Sequence, residues 1–322
     1  MARFIVRRIV QMIPLLLGIT FLIFALINLI PGSPIQAFEF NPRARPEDIA
    51  RIRENLGLNE PWPLRYFYWL SDAVRGDLGF SLINATSVTD RIVGVLPNTL
   101  ILTGTSLLFA LIFAVPLGVY SAVKRNSWFD HLVTIGSTAT FAIPTFWLGL
   151  MMIVIFAVKF QEWGLPSLPV SGTHNFRGGG DLLDRARHLL MPAVALGIVQ
   201  LAGWTRYIRG SMLEVIRQDF IRAAAAKGLK ESSVLYVHAL RNALLPLVTL
   251  IGLTIPELFG GAFFIEQIFA WNGVGRLTLD ALNDRDYTVV MGTFTILAVL
   301  TLFGNLIADV LYAVLDPRIR LS

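Results

Sequence analysis

Apolar residues run almost without interruption through six stretches of this chain, and polar residues gather between them. The runs are residues 9–30, 100–123, 132–158, 189–205, 242–265 and 287–308. Five carry no charge, and the fifth in order carries one, Glu257. About 20 apolar residues rising 1.5 Å each cross a hydrocarbon core of ~30 Å. The pattern therefore predicts an all-α membrane protein of six transmembrane helices. Residues 1–30 form an N-terminal segment and the first span, 31–99 a long polar segment, and 100–322 a core of five spans. The last of these is read as 287–310, with Asp309 in its final turn. Arg3, Arg7 and Arg8 precede the first run as a signal peptide's basic region would. That run is too long for a signal peptide, however, and ends in Pro31-Gly32-Ser33-Pro34 with no small-x-small cleavage site, so it is read as a retained span.

Within 31–99, residues 46–56 read as an amphipathic helix with Ile49, Ile52 and Leu56 on one face. Trp62, Tyr66, Phe67, Tyr68 and Trp69 crowd the stretch that follows. They suit either a small external cap that receives a delivery protein or an aromatic belt at the lipid headgroups. The segment 159–188, with Gly178-Gly179-Gly180, reads as a flexible loop. Trp271-Asn272-Gly273-Val274-Gly275 signals a turn ahead of a short amphipathic piece at 277–282.

Composition agrees with a bilayer as solvent. The chain has 322 residues, 55% hydrophobic and 15% charged, where soluble proteins carry roughly 25% charged residues. Its formal net charge is +5, but the cations lie beside apolar runs, which points to membrane orientation rather than nucleic acid. With the N-terminus cytoplasmic, the inner segments 1–8, 124–131, 206–241 and 314–322 hold 14 Lys and Arg against 5 acids. The outer segments 31–99, 159–188 and 266–286 hold 13 against 15. The excess of cations in the short loops predicts both termini inside. Cysteine is absent, which removes disulfides and thiolate metal sites.

No catalytic or nucleotide-binding constellation is present. The sequence contains no Gly-x-x-x-x-Gly-Lys-Ser/Thr phosphate loop, no His-Glu-x-x-His and no Gly-x-Ser-x-Gly. The four histidines, His131, His174, His188 and His238, are scattered. Function must then be sought in polar residues at membrane depth and in the one long polar helical stretch. Glu257 lies inside a span, where an ionisable group marks a transport path unless it is hydrated or paired. Pro144, Phe146, Trp147, Asn305 and Asp309 are further candidates for that path. Asn305 sits one turn from Asp309 and within reach of its hydrogen bonds. Pro116, Pro144, Pro192 and Pro256 each free a carbonyl inside a span and offer bends around it.

Residues 211–246 break the apolar pattern. Ser211 and Glu214 make a capping box for a short helix to about Gln218. Asp219 caps a second helix through Ala226, which Gly228 ends in a left-handed conformation. Glu231, Ser232 and Ser233 start a third, leading to Pro246. Arg209, Arg217, Arg222, Lys227 and Lys230 would suit an amphipathic helix lying on anionic lipid. Alanines at 223–226, mixed charge and punctuation into short capped pieces favour docking in a protein groove. Such short helices are marginal alone, and the missing nucleotide site suggests an ATPase as the partner.

The residues here resemble a known family. Arg222-Ala223-Ala224 followed by Gly228, and His238-Ala239-Leu240-Arg241-Asn242-Ala243-Leu244-Leu245-Pro246, look like the EAA loop of ABC-importer permeases of the dipeptide, oligopeptide and nickel type. Gly76-Asp77-Leu78-Gly79, Leu96-Pro97-Asn98-Thr99-Leu100, Ile143-Pro144-Thr145-Phe146-Trp147-Leu148-Gly149, Ser211-Met212-Leu213-Glu214-Val215, Gln218-Asp219-Phe220 and Ala313-Val314-Leu315-Asp316-Pro317-Arg318 are similar as well. The leading glutamate of the general loop is Arg222 here, so no salt-bridge role for it carries over. The resemblance implies the fold of a type I ABC importer permease and the B-type subunit of a pair. It also implies a second, homologous permease, two ATPase subunits that bind the ATP and magnesium, an extracytoplasmic substrate-binding protein, and surrounding lipid. Contact with the ATPase is expected at Asp219, Phe220, Arg222, Ala223, Ala224, Ala225, Lys227 and Gly228, with His238, Arg241 and Asn242 on the return arm. Peptides are the expected cargo; nickel chelates and oligosaccharides are the alternatives. An ATP-independent secondary transporter would be expected to show repeats and several intramembrane charges, and a membrane enzyme would need a catalytic site.

Overall fold

The computed structural model describes residues 2–29, 35, 45–55, 57–175 and 180–315. The helices, in chain order, are α1 Ala2–Leu29, α2 Pro46–Asn55, α3 Trp62–Val74, α4 Val88–Val123 and α5 Trp128–Ala142. Then come α6 Thr145–Glu162, whose middle, Ile153–Lys159, is π-helical, and α7 Leu182–Val215. Next are α8 Asp219–Ala226 and α9, which joins Glu231–Ser233, a π segment Val234–Ala239 and Leu240–Ala243. The last three are α10 Leu245–Ile268, α11 Val274–Asn283 and α12 Tyr287–Leu315. Among the described residues, strand pairing is limited to one isolated bridge, Phe80 with Ser87.

Five described helices, α1, α4, α6, α7 and α12, are each long and apolar enough to cross a membrane, and α10, bent by 43° between Gly260 and Ala262, makes a sixth when its two arms are counted as one span. A glycine pair offers little resistance to such a bend.

Several helices overrun the apolar runs that announce them. α4 has 36 residues and α7 has 34, about 54 and 51 Å. The polar ends of the segments expected at 31–99, 159–188 and 206–241 are in part continuations of these helices. Hydropathy marks where a helix meets lipid, not where it stops. The third apolar run, 132–158, is divided rather than continuous. Ile143 is extended (φ −98°, ψ 120°) ahead of Pro144, which starts α6, because the proline ring disfavours the α region for the residue before it. Pro144 thus cuts a span, whereas Pro116, Pro192 and Pro256 lie inside unbroken helical runs.

The capping box at Ser211 does not form. Ser211 lies inside α7, and its hydroxyl donates to the carbonyl of Ala243 at 3.0 Å. The reason is packing: Trp204, Ile208, Met212 and Val215 make a buried stripe that runs straight through it. Each fully buried side chain of this kind contributes about 1.5–3 kcal/mol, against about 1 kcal/mol for a cap. Asp219 is the first residue of α8 rather than its cap, a place held by Gln218 without a side-chain bond; likewise Lys230, not a residue of 231–233, precedes α9. Gly228 does end α8 with φ +77°.

Glycines bring the spans together. A Cβ on Gly197 of α7 would lie 2.6 Å from the Ser106 carbonyl oxygen of α4, and one on Gly118 of α4 2.8 Å from Cβ of Ile208. Gly252 of α10 meets Ala308 of α12 in the same way. Small residues at these crossings let backbones approach where lipid supplies no hydrophobic drive. The aromatic stretch of α3 does two things. Tyr66 is buried, with its hydroxyl 2.9 Å from Thr20 Oγ1 of α1, while Trp62, Phe67 and Tyr68 are exposed. α2 is present as expected, although Ile52 and Leu56 of its apolar face lie outside the described side chains. So do Gly178 and Gly179 of the glycine run.

Candidate functional site

Two groups of residues carry the functional argument, and three buried carboxylates position them. The first group is the α8–α9 hairpin. Ile221 and Ala224 of α8 and Val234 and Ala239 of α9 are buried with Met212 and Val215 of α7 in one cluster. The Ser211–Ala243 hydrogen bond ties the end of α9 to α7. The hairpin is therefore seated on the helical core, and only its outer surface is free.

That surface contains Asp219, Phe220, Arg222, Ala223, Ala225, Lys227, Gly228, Arg241 and Asn242, all exposed. Ala224 is instead turned into the core, and His238 is half-buried, its carbonyl accepting from Asn242 Nδ2 at 2.7 Å. Arg222 pairs with Asp219, but both are solvated, so the pair contributes little. Large apolar side chains stand out from the same hairpin: Phe220 is 41% exposed, Leu229 42%, Tyr236 58% and Val237 57%. Of these only Phe220 was legible beforehand. Tyr236 and Val237 lie in the π segment, which shifts the helical period and hides them from a 3.6-residue count.

The second group lies at membrane depth. Glu257 is exposed on α10 and has no partner among the described residues. Pro144, Phe146 and Trp147 are exposed at the cut between α5 and α6, and Asn305 is exposed on α12. Asp309 has a role inside the chain: its Oδ2 is 3.2 Å from Arg8 Nη1, so α12 is tied there to α1. Beside α10, an apolar recess of about 540 Å³ is lined by Ile19, Ile23, Pro256, Phe259, Phe263 and Phe294, among others; Glu257 is not in its wall.

Three carboxylates hold the ends of the bundle. Asp130, at the end that carries α8, accepts Arg209 Nη2 at 2.7 Å on Oδ2 and Nε on Oδ1. It also accepts the Ser121 hydroxyl and the Asn126 amide. The Arg209 guanidinium, with Ser121 and Asn126, holds its carboxyl well below the usual carboxylate range, against the opposing effect of burial. At the other end Glu266 is fully buried. It accepts from Thr99 Oγ1 at 2.7 Å and from the Arg276 amide at 3.1 Å. A Cβ on Gly273 would lie 2.2 Å from its Oε1, so the glycines of the 271–275 turn leave room for this carboxylate. Asp286, at the start of α12, accepts the Ser81 hydroxyl and the Leu82 amide, with Arg91 at 3.8 Å. This pins the turn that follows Gly76-Asp77-Leu78-Gly79, where both glycines have φ near +90°. Thr99 is 167 positions from Glu266 and Ser81 205 from Asp286, so periodicity and spacing link neither pair.

These features define a class: a polytopic α-helical membrane subunit with a rigid helical hairpin fixed to one end, and among its described residues no cluster able to hold a metal. The chain belongs to the family of binding-protein-dependent transport system inner membrane components, whose model matches residues 114–321. The companion N-terminal model of these membrane components matches residues 1–103. It is thus a transport permease subunit of the kind that serves ABC importers alongside ATPase and substrate-binding partners. The chain is 43% identical to the oligopeptide transport system permease protein AppB of Bacillus subtilis, covering 99% of this chain and all of that one. It is 39% identical to the di/tripeptide transport system permease protein DppB of Pseudomonas aeruginosa, covering 99% of each. A solved structure of the MetNI methionine ABC transporter superposes with a TM-score of 0.48 at 18% identity, covering 69% of this chain and 96% of that one.

Proposed function

We propose that this chain is one of two permease subunits of a peptide importer, and that the α8–α9 hairpin is where an ATPase subunit docks. The observation that carries the reading is the hairpin's two-sided character. Its inner face is locked to α7, and its outer face offers exposed Phe220, Leu229, Tyr236 and Val237 among exposed charges. A segment fixed on one side transmits a push from the other; a mobile loop would absorb it. ATP and magnesium then belong to the ATPases, and this chain binds neither. Both termini and the hairpin lie in the cytoplasm on this reading, in keeping with the cations of 206–241. The face bearing α3 and α11 meets an extracytoplasmic binding protein. Single-cysteine labelling at Ser232, in a chain with no native cysteine, checks the orientation: reaction from outside intact cells would refute it.

In the proposed cycle, closure of the ATPases drives the hairpin and α7, and the path changes the side to which it opens. The cut at Ile143–Pro144 and the bend at Gly260–Ala262 are the places where spans yield without breaking a regular ladder. Peptide as cargo follows from the full-length likeness to oligopeptide and dipeptide permeases. Reconstitution with a second permease, ATPases and a binding protein tests the function. ATP-dependent peptide uptake is expected; uptake by this chain alone without ATP would show a secondary transporter instead.

A further inference from the structure

The carboxylates of this molecule divide sharply by environment. Asp130, Glu266 and Asp286 are buried and hydrogen-bonded, and Asp309 is paired with Arg8. Glu257 lies within a span and has no partner among the described residues. It is 12 residues beyond Leu245 and 11 before Ile268, the ends of α10, so roughly 17 Å of helix lies on either side of it. Within a span, a carboxylate facing lipid is costly and one facing water or a counter-charge is not.

Its neighbours on the helix separate these cases. Leu253, Glu257, Gly260, Phe264 and Gln267 are all exposed and follow one another at spacings of four, three, four and three, which puts them in one stripe. The stripe mixes a carboxylate, an amide and a glycine with Leu and Phe. Nothing lies within 4 Å of where a Cβ on Gly260 would stand, the helix's own backbone aside. The exposed residues of α1 are mostly aliphatic, Val6, Val10, Ile13, Leu17 and Leu26 among them, with Gln11, Gly18 and Phe21 exposed as well. What sets the α10 stripe apart is its carboxylate. A negative point flanked by apolar surface and an open gap matches a ligand with one cationic end and apolar side groups. A peptide's α-ammonium, with an ordinary pKa of about 7.7–8.0, is such a group. Resting on the reading of the chain as a peptide permease, we propose that Glu257 is the point in the translocation path that meets the α-ammonium group of the passing peptide.

The test uses the complete transporter in proteoliposomes, with wild type, Glu257→Gln and Glu257→Asp. The probes are labelled peptides of equal length and identical side chains, one with a free N-terminus and one N-acetylated. A hydrogen bond to a charged group is lost in Glu257→Gln, so maximal uptake of the free-amine peptide should fall roughly ten- to hundredfold. Uptake of the acetylated peptide, measured against its own wild-type value, should fall much less, and Glu257→Asp should restore most of the loss. The wild-type advantage for the free-amine peptide should also shrink at pH 9, where the peptide ammonium is largely deprotonated. An equal loss for both peptides, or dissociation of the variant complex, overturns the proposal in favour of an ion pair with a neighbouring subunit. Unchanged uptake in Glu257→Gln overturns it while leaving the permease reading intact. A wild-type complex that imports no peptide overturns both.

Discussion

Asp130 receives four donors from three segments: the Ser121 hydroxyl at the end of α4, the Asn126 amide of the connecting turn, and two guanidinium nitrogens of Arg209 on α7. Removing one partner of such a pair strands the other charge, a loss of roughly 3 kcal/mol where, as here, Arg209 keeps some contact with solvent. Asp130→Asn should therefore lower the thermal midpoint of the purified subunit, read by a tryptophan or light-scattering melt. The sign with pH follows from the depressed folded pKa. The stabilisation is complete above the ordinary aspartate value of about 4 and is lost as pH falls through the lower folded value. The gap between wild type and Asp130→Asn should close in strongly acidic buffer and stay constant from pH 6 to 8; a gap that grew on acidification would contradict the assignment. Sequence showed Asp130 only as one of the acids in a basic loop. Its partner is 79 positions away, and nothing in periodicity or spacing links them.

At the scale of elements, the spans were legible and their ends were not. Five of the six apolar runs coincide with helices long and apolar enough to cross and the other with the bent α10, because apolarity over about 20 residues is a direct statement about lipid. The polar overhangs of α4 and α7 carry no such signal, and the buried stripe from Trp204 to Val215 overrode a well-formed capping box at Ser211. The cut at Ile143–Pro144 was within reach, since a residue before proline resists the α region, but the unbroken apolarity of 132–158 masked it. Helix crossings supply the prediction here. Gly197→Ala would put a methyl 2.6 Å from the Ser106 carbonyl, and a backbone atom cannot swing aside. A loss of about 1–3 kcal/mol is expected from such overpacking. Gly104→Ala, with nothing within 4 Å, should instead gain a few tenths to 1 kcal/mol of helix stability. Opposite shifts in the melting of the two variants check the argument; equal shifts would refute it.

For the whole molecule, the layout is a bundle fastened at both ends, with the hairpin mounted on one of them. The hairpin's position was legible in its alanines, its charges and Gly228; its seating on the core was not, because that comes from Met212 and Val215, residues of a different helix. This division sharpens the coupling experiment. Ala223 and Ala225 are both exposed, so Ala223→Trp and Ala225→Trp change the outer surface alone. Both should leave insertion and assembly intact while cutting ATP-driven uptake at least tenfold, measured on the reconstituted complex. A bulky residue at Ala224 would enter the core instead, and its effect would read as misfolding. Unimpaired transport in Ala223→Trp would refute docking at this surface.

The fastenings also impose an order on biogenesis. Thr99 waits for a carboxylate 167 residues later in the chain, and Ser81 for one 205 residues later. At roughly 5–20 residues per second, about 10–40 s separate the emergence of these partners from the ribosome. Through that interval the early helices sit in the bilayer with their hydroxyls and turns unfastened, and the late helices close them. A ribosome that stalls before Glu266 leaves the membrane proteases a chain whose first half has already inserted but has nothing to close upon.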